Sequence, residues 1–267
     1  MRRAVHGTVP RAVTALGIVG LAILILPLLG LFTRVDWRTV PAAITSPEAL
    51  SALRLSLETG ATATALCLLV GIPLAVLIAR SGPRVGGLLR ALSTLPLVLP
   101  PLVGGVALLY LLGRNGLVGS SLAVLGIRIP FTTAAVVIAQ TFVALPFLVI
   151  SVEGALRTSG TRFEAVAATL GARRWTVFRR VTLPLVFPGV IAGTVLCFAR
   201  ALGEFGATAL FAGNAPGITR TMPLAIYTAF NGAGVSQNSA IALALLLVVV
   251  AIVILLLLRS WRAEPVR

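Results

Sequence analysis

Lysine is absent from this chain, and only seven of its 267 residues are acidic. All 22 basic residues are arginine, which sets the formal charge at +15. A surplus of that size would suit a nucleic-acid binder. The arginines, however, lie between apolar runs rather than along one soluble face. No RNP, zinc-finger or helix-turn-helix pattern accompanies them, which excludes that class. The single histidine, His6, sits in the N-terminal tail. Cys67 and Cys197 fall inside apolar runs with no CxxC or Cys/His spacing, so neither a metal site nor a disulfide framework is expected. They read as small buried hydrophobes. There is no Gly-x-x-x-x-Gly-Lys-Ser/Thr phosphate loop, and no nucleophile or acid–base constellation stands out. The chain is therefore not read as an enzyme, and no cofactor is expected in it.

What is present is apolar length. Hydrophobic residues make up 58% of the chain and charged residues 11%, under half of the ~25% typical of soluble domains. A water-soluble fold could not hide that surface, whereas lipid can surround it. Stretches long enough to cross ~30 Å of hydrocarbon lie near 12–32, 56–79, 88–112, 132–152, 185–204 and 239–258. The expected fold is an all-α integral membrane protein of about six transmembrane helices, forming one domain over 1–267. The first run is too long for a signal-peptide core, and no small-residue cleavage site follows it before Arg34, so it reads as a retained anchor. Fifteen of the 22 arginines fall in the N-terminal tail, the second loop, the fourth loop and the C-terminal tail. By the positive-inside rule both termini are cytoplasmic. The charge is thus mainly a topology signal.

Within the spans, Gly189 and Gly193 give a small-xxx-small surface. Ser56, Thr59, Thr62 and Thr64 place hydroxyls in the second span. Pro96, Pro100 and Pro101, with Gly104 and Gly105, should kink or break the third. Arg54 and Glu58, and again Arg200 and Glu204, are spaced to pair on one helix face. For the second pair two readings stand: a place near a pathway or gate, where intramembrane charges usually face water, or a structural ion pair. Asn214, Thr219 and Thr221 follow, beside the turn residues Gly213, Pro216 and Gly217.

The loop 154–184 is too polar to span and too patterned to be slack. Thr161-Arg162-Phe163-Glu164 has the form of a capping box, in which Glu164 reaches back to the amide at the cap. Phe163, Val166, Ala167 and Leu170 make one apolar stripe, and Gly171 ends the run as a C′ residue would. This predicts a helix of about nine residues, roughly 14 Å long, too short to stand without a partner. A second amphipathic stretch from Arg173 to Val181 is expected along the membrane surface, with Pro184 opening the fifth span.

The loop resembles the EAA loop of permease subunits of binding-protein-dependent ABC importers. In that loop a glycine is followed by nine residues and then Ile-x-Leu-Pro; here Gly171 is followed by nine residues and Val181-Thr182-Leu183-Pro184. Ala167 holds the second alanine position, Val166 replaces the first, and Glu164 comes one position early, with Ala165 in the usual glutamate place. Residues 198–227 are similar to molybdate permeases, in the run Arg200–Thr208, then Gly213-Asn214, Thr219-x-Thr221 and Pro223-Leu224-Ala225-Ile226-Tyr227. Sulfate and thiosulfate permeases share the Gly-Glu-aromatic-Gly core and the Gly-Asn but match less well beyond them. The resemblance extends back over Leu53–Arg80, with a turn at Gly71-Ile72-Pro73-Leu74-Ala75.

The resemblance implies a type I importer permease in a bacterial inner membrane whose short coupling helix, built on Thr161, Phe163, Glu164, Val166, Ala167, Leu170 and Gly171, docks on a separate ATPase. It implies a homodimer, two ATPase subunits carrying ATP and Mg, and an external solute-binding protein delivering an oxyanion. Arg200, Glu204, Phe205, Thr219 and Thr221 would then lie at the translocation path or its gate. An ion-coupled secondary transporter is the rival of another class. It would usually show inverted repeats and midplane carboxylates.

Overall fold

The computed structural model describes residues 10–232 and 237–259. His6, Arg2, Arg3, Arg262 and Arg267, which entered the reading of the tails, lie outside the described residues. The described residues contain helices and no strand. Helix α1 (Arg11–Thr33) leads through the short α2 (Val40–Ile44) to α3 (Pro47–Arg80). Ser46 caps α3, its hydroxyl accepting from the Ala49 amide at 3.2 Å, and Pro47 fills the first position, where a missing N–H costs nothing. Next come α4 (Pro83–Val98), α5 (Pro101–Leu112), the short α6 (Gly119–Val124) and α7 (Thr133–Ser159).

Then α8 (Arg162–Thr169) is followed by α9 (Arg174–Val177), a π-helical turn (Phe178–Thr182) and α10 (Leu183–Leu202) without a gap. The chain ends with α11 (Gly206–Phe211), α12 (Met222–Asn231) and α13 (Gln237–Arg259). Four helices are long and apolar enough to cross a bilayer alone: α1, α3, α7 and the continuous Arg174–Leu202. Helices α4 and α5 meet at a 112° bend, the form of either a broken span or a re-entrant loop at the place of the expected third span. The expected sixth falls on α13, whose described apolar stretch, Asn238–Val253, is shorter.

Two expectations are corrected. Gly71-Ile72-Pro73-Leu74-Ala75 is not a turn but the interior of α3, where Pro73 is tolerated because neighbouring helices support the freed backbone. Pro184 stands in the first turn of α10, but the helix does not begin there, and the stretch before it does not lie apart along a surface. The helix passes through it from Arg174, and the residues expected to lie along the surface form its first turns. Pro184 has no amide for the Arg180 carbonyl. The chain widens there into i→i+5 bonding, with the Leu183 amide donating to Phe178.

The contact of α3, α7 and α10 mixes small buried residues, Ala63, Cys67, Ala75, Ala144, Cys197 and Ala201, with large ones such as Ile78, Leu148 and Leu156. Other large side chains, such as Leu69 and Val98, face outward, at 70% and 82% exposure. Small residues permit the close helix approach that membrane bundles use. A Cβ added at Gly189 would stand 2.4 Å from that of Ala155, and one at Gly193 would stand 3.0 Å from Leu148 and Ser151. The Ser151 hydroxyl also donates to the Gly189 carbonyl at 2.9 Å. The small-xxx-small surface is therefore the seam between α10 and α7. Helix α1 has no buried residue and lies at the margin.

Candidate functional site

Helix α8 forms over Arg162–Thr169 as expected, but its capping box does not. Thr161 precedes the helix at φ −113°, ψ 2°, and its hydroxyl caps nothing. Glu164 turns away from the cap because stronger partners are near. The Arg80 guanidinium at the end of α3 and the Thr182 hydroxyl, at 2.8 Å, both donate to the same Glu164 oxygen. A charge-assisted bond outweighs one to a backbone amide.

The other end matches the expectation closely. Gly171 has φ +81°, a conformation that costs L side chains energy. Its amide donates to the Ala168 carbonyl at 3.0 Å, and the Ala172 amide donates to Ala167 at 3.1 Å. This pair of bonds is a Schellman motif. Phe163, Val166 and Leu170 stay 58%, 54% and 83% exposed. Ala167 is half-buried. A cavity of about 670 Å³ separates α8 from the bundle, lined by Val76, Arg80, Ala165, Ala168, Phe178 and Thr182 among others.

One charged cluster escaped the sequence reading. Glu153, buried near the C-terminal end of α7, accepts from Arg157 Nε at 2.7 Å and from Arg90 Nε on α4 at 3.0 Å. The i, i+4 spacing of Glu153 and Arg157 was visible in the sequence. Arg90, 63 residues away, was not predictable as the third member.

The second group of candidate residues gathers where two helices break. The third span breaks at Leu99 and Pro100, and the helix after the coupling loop breaks between Leu202 and Gly206. A Cβ at Gly206 would meet that of Pro101 at 2.7 Å, and one at Gly105 would meet the Ala207 backbone at 2.9 Å. The two breaks therefore touch.

Here Arg200 Nη2 stands 2.6 Å from Glu204 Oε2, an ion pair without the alignment of a hydrogen bond. Glu204 Oε1 accepts from the Ala207 amide at 2.8 Å, so the same carboxylate caps α11. Phe205 packs its ring on Tyr227 of α12, with centroids 4.9 Å apart. Thr221 stands at the N-cap of α12, buried, with its hydroxyl unpartnered, and the next amide, of Met222, donates to Ser56 on α3 at 2.7 Å.

Thr219 faces back into its own loop instead. Its hydroxyl accepts from the Ala215 amide at 2.8 Å, and Gly213 and Gly217 have positive φ, which bears out their reading as turn residues. Asn214 stitches the loop, donating to Thr228 at 2.8 Å and accepting from Arg220 Nε at 2.9 Å. At the same end Arg54 Nε pairs with Glu58 at 2.7 Å on the surface.

Two further polar residues went unnoticed in the sequence. Gln140 on α7 and Thr208 on α11 are fully buried, and neither amide atom of Gln140 nor the Thr208 hydroxyl has a hydrogen-bond partner. An orphaned buried polar group costs ~1–3 kcal/mol, so their presence in an apolar bundle is itself the signal that could have found them.

The family model described as "binding-protein-dependent transport system inner membrane component" matches residues 71–262. The molybdenum transport system permease protein ModB of Mycobacterium tuberculosis is 57% identical over 218 residues, covering 82% of this chain and 83% of that protein. Its namesake in Escherichia coli K12 is 43% identical, covering 74% and 86%. The sulfate transport system permease protein CysT of Escherichia coli K12 is 34% identical, covering 82% and 80%. Among solved structures, a bacterial ABC transporter importing the acidic polysaccharide alginate superposes with a TM-score of 0.69 at 19% identity, covering 95% of each chain. The MetNI methionine ABC transporter in an inward-facing form gives 0.62 at 19% identity, covering 79% of this chain and 93% of that one. These two share the fold: an all-helical importer permease. By its match over residues 71–262 and its identity to these relatives, this chain belongs to the family of binding-protein-dependent transport system inner membrane components.

Proposed function

We propose that the chain is the pathway subunit of an ATP-driven importer for an oxyanion, with molybdate the cargo and tungstate its near-equivalent. The single observation that carries the ATP-driven part is α8, a short helix held off the bundle with Phe163, Val166 and Leu170 exposed. Its apolar face needs a partner, and in this reading that partner is a separate ATPase, one for each of two permease copies. ATP and Mg bind there and not in this chain. What supports the cargo is greater identity to the molybdenum permeases than to the sulfate permease.

In this reading the whole chain is one permease domain. The α8 end and both termini are cytoplasmic, which the arginine distribution supports. An external binding protein selects the oxyanion and hands it to the opposite end. Arg200, Glu204, Phe205 and Thr221 then act at the gate, where the two helix breaks meet, and Thr219 shapes the loop beside it. Glu204 cannot attract a dianion. Its role is to fix Arg200 and α11 together. ATPase closure pushes α8, and the bundle rocks between inward- and outward-open states by hinge and shear.

The test is uptake of labelled molybdate into vesicles holding the full complex. Uptake should require ATP and should be competed by tungstate but not by excess sulfate. Equal competition by sulfate would establish the second reading, a sulfate or thiosulfate permease, which the relative at 34% identity favours. ATP-independent uptake would overturn both.

A further inference from the structure

From the contacts of Glu164 we infer that this residue is the positioning residue through which α8 moves the bundle. The inference rests on α8 docking an ATPase, and it concerns what happens after docking. A pushed helix transmits force only where it touches something. Helix α8 has no buried residue; it touches the first turns of the Arg174–Leu202 helix, and an open groove lies between it and α3. Among the described residues, its polar side-chain bonds to the rest of the bundle both run through the Glu164 carboxylate.

One bond comes from Arg80, the last residue of α3, a helix that runs unbroken from Pro47. The other comes from Thr182, buried in the π-helical turn at the foot of α10. A single carboxylate thus ties α8 to both long helices whose far parts meet the breaks. Helix α3 carries Ser56, which receives the Met222 amide of α12, and α10 ends at the Arg200–Glu204 pair. The π-helical turn fits this role. Such turns are wider than α-helix, are frequent at functional sites, and are among the places where helices kink. Displacement of α8 would reach the gate along α3 as a rigid rod and along α10 through a compliant turn.

Glu164 binds within its own chain, while Phe163, Val166 and Leu170 are left to meet the partner.

The experiment uses the full reconstituted complex of permease and ATPase, with Glu164→Gln, Arg80→Gln, Thr182→Val and the charge exchange Arg80→Glu with Glu164→Arg. Three readouts are taken: ATPase retained on purification, ATP hydrolysed, and molybdate imported per ATP. Glu164→Gln and Arg80→Gln should retain the ATPase and hydrolyse ATP within about twofold of the parent. Import per ATP should fall about tenfold, the weight of one charge-assisted hydrogen bond. Thr182→Val should give a smaller fall, and the charge exchange should recover at least about a third of the coupling.

Unchanged import per ATP in Glu164→Gln overturns the inference. So does loss of ATPase retention in Glu164→Gln without rescue by the exchange, since Glu164 would then be contacting the ATPase itself. If the unmodified chain retains no ATPase, the docking reading fails before this one is reached.

Discussion

At the scale of single residues, the chain separates positions set by backbone geometry from positions set by charge. Gly171 belongs to the first kind. Its φ of +81° makes any β-branched replacement strained although the space around it is open, at a cost of ~1–3 kcal/mol. Gly171→Val should therefore fray the end of α8 and weaken ATPase retention while the chain still inserts; full retention with full uptake would refute the assignment of this loop. Glu204 belongs to the second kind. Its carboxylate neutralises Arg200 and caps α11 at once. Glu204→Gln should cut uptake about tenfold, the loss of one charged contact, with the complex still assembling. Collapse of the complex would instead assign the pair to structure.

The sequence could show the i, i+4 pairs because a helix brings those residues together regardless of tertiary fold. It could not show that Arg80 takes Glu164, 84 residues away, from the expected capping box. Nor could it show that Arg90 completes the Glu153 cluster. Local patterns offer a partner, and tertiary neighbours with a charge outbid it.

At the scale of elements, the legible features were those written in composition: apolar length for the spans, and Pro100-Pro101 for the break that bends α4 against α5 by 112°. The small-xxx-small surface on α10 was legible too, although its partner α7 was not. That seam can be tested. Gly189→Leu would drive a side chain into Ala155 and should lower stability by ~1–3 kcal/mol, as overpacking usually does, read as a lower unfolding midpoint in detergent. Gly20→Ala, on α1 with nothing within 4 Å of the added carbon, should leave the midpoint no lower, since alanine favours helix over glycine. An equal loss from both would show that the seam is not tightly packed. The run from Arg173 to Val181 was misread because amphipathic pattern alone does not say where a helix stops. A proline was taken as a boundary where the backbone bridges it by a π-helical turn.

At the scale of the whole molecule, the arginine-rich loops and the apolar outer surface describe one object, a bundle that needs lipid around its flanks and water at its ends. Its orientation can be checked with single cysteines at Ser120 and Thr169, both exposed, against a membrane-impermeant maleimide. The two native cysteines are buried and should stay silent. Labelling of Ser120→Cys from outside and of Thr169→Cys only after permeabilisation is the expected outcome; the reverse would invert the topology.

The space of about 670 Å³ under α8 has a consequence for the whole cycle. This groove is open to solvent, so a helix pressed towards the bundle would displace water rather than break packed apolar contacts. The stroke would then carry a hydration term, and osmolytes excluded from protein surface would pull the equilibrium towards the compressed arrangement.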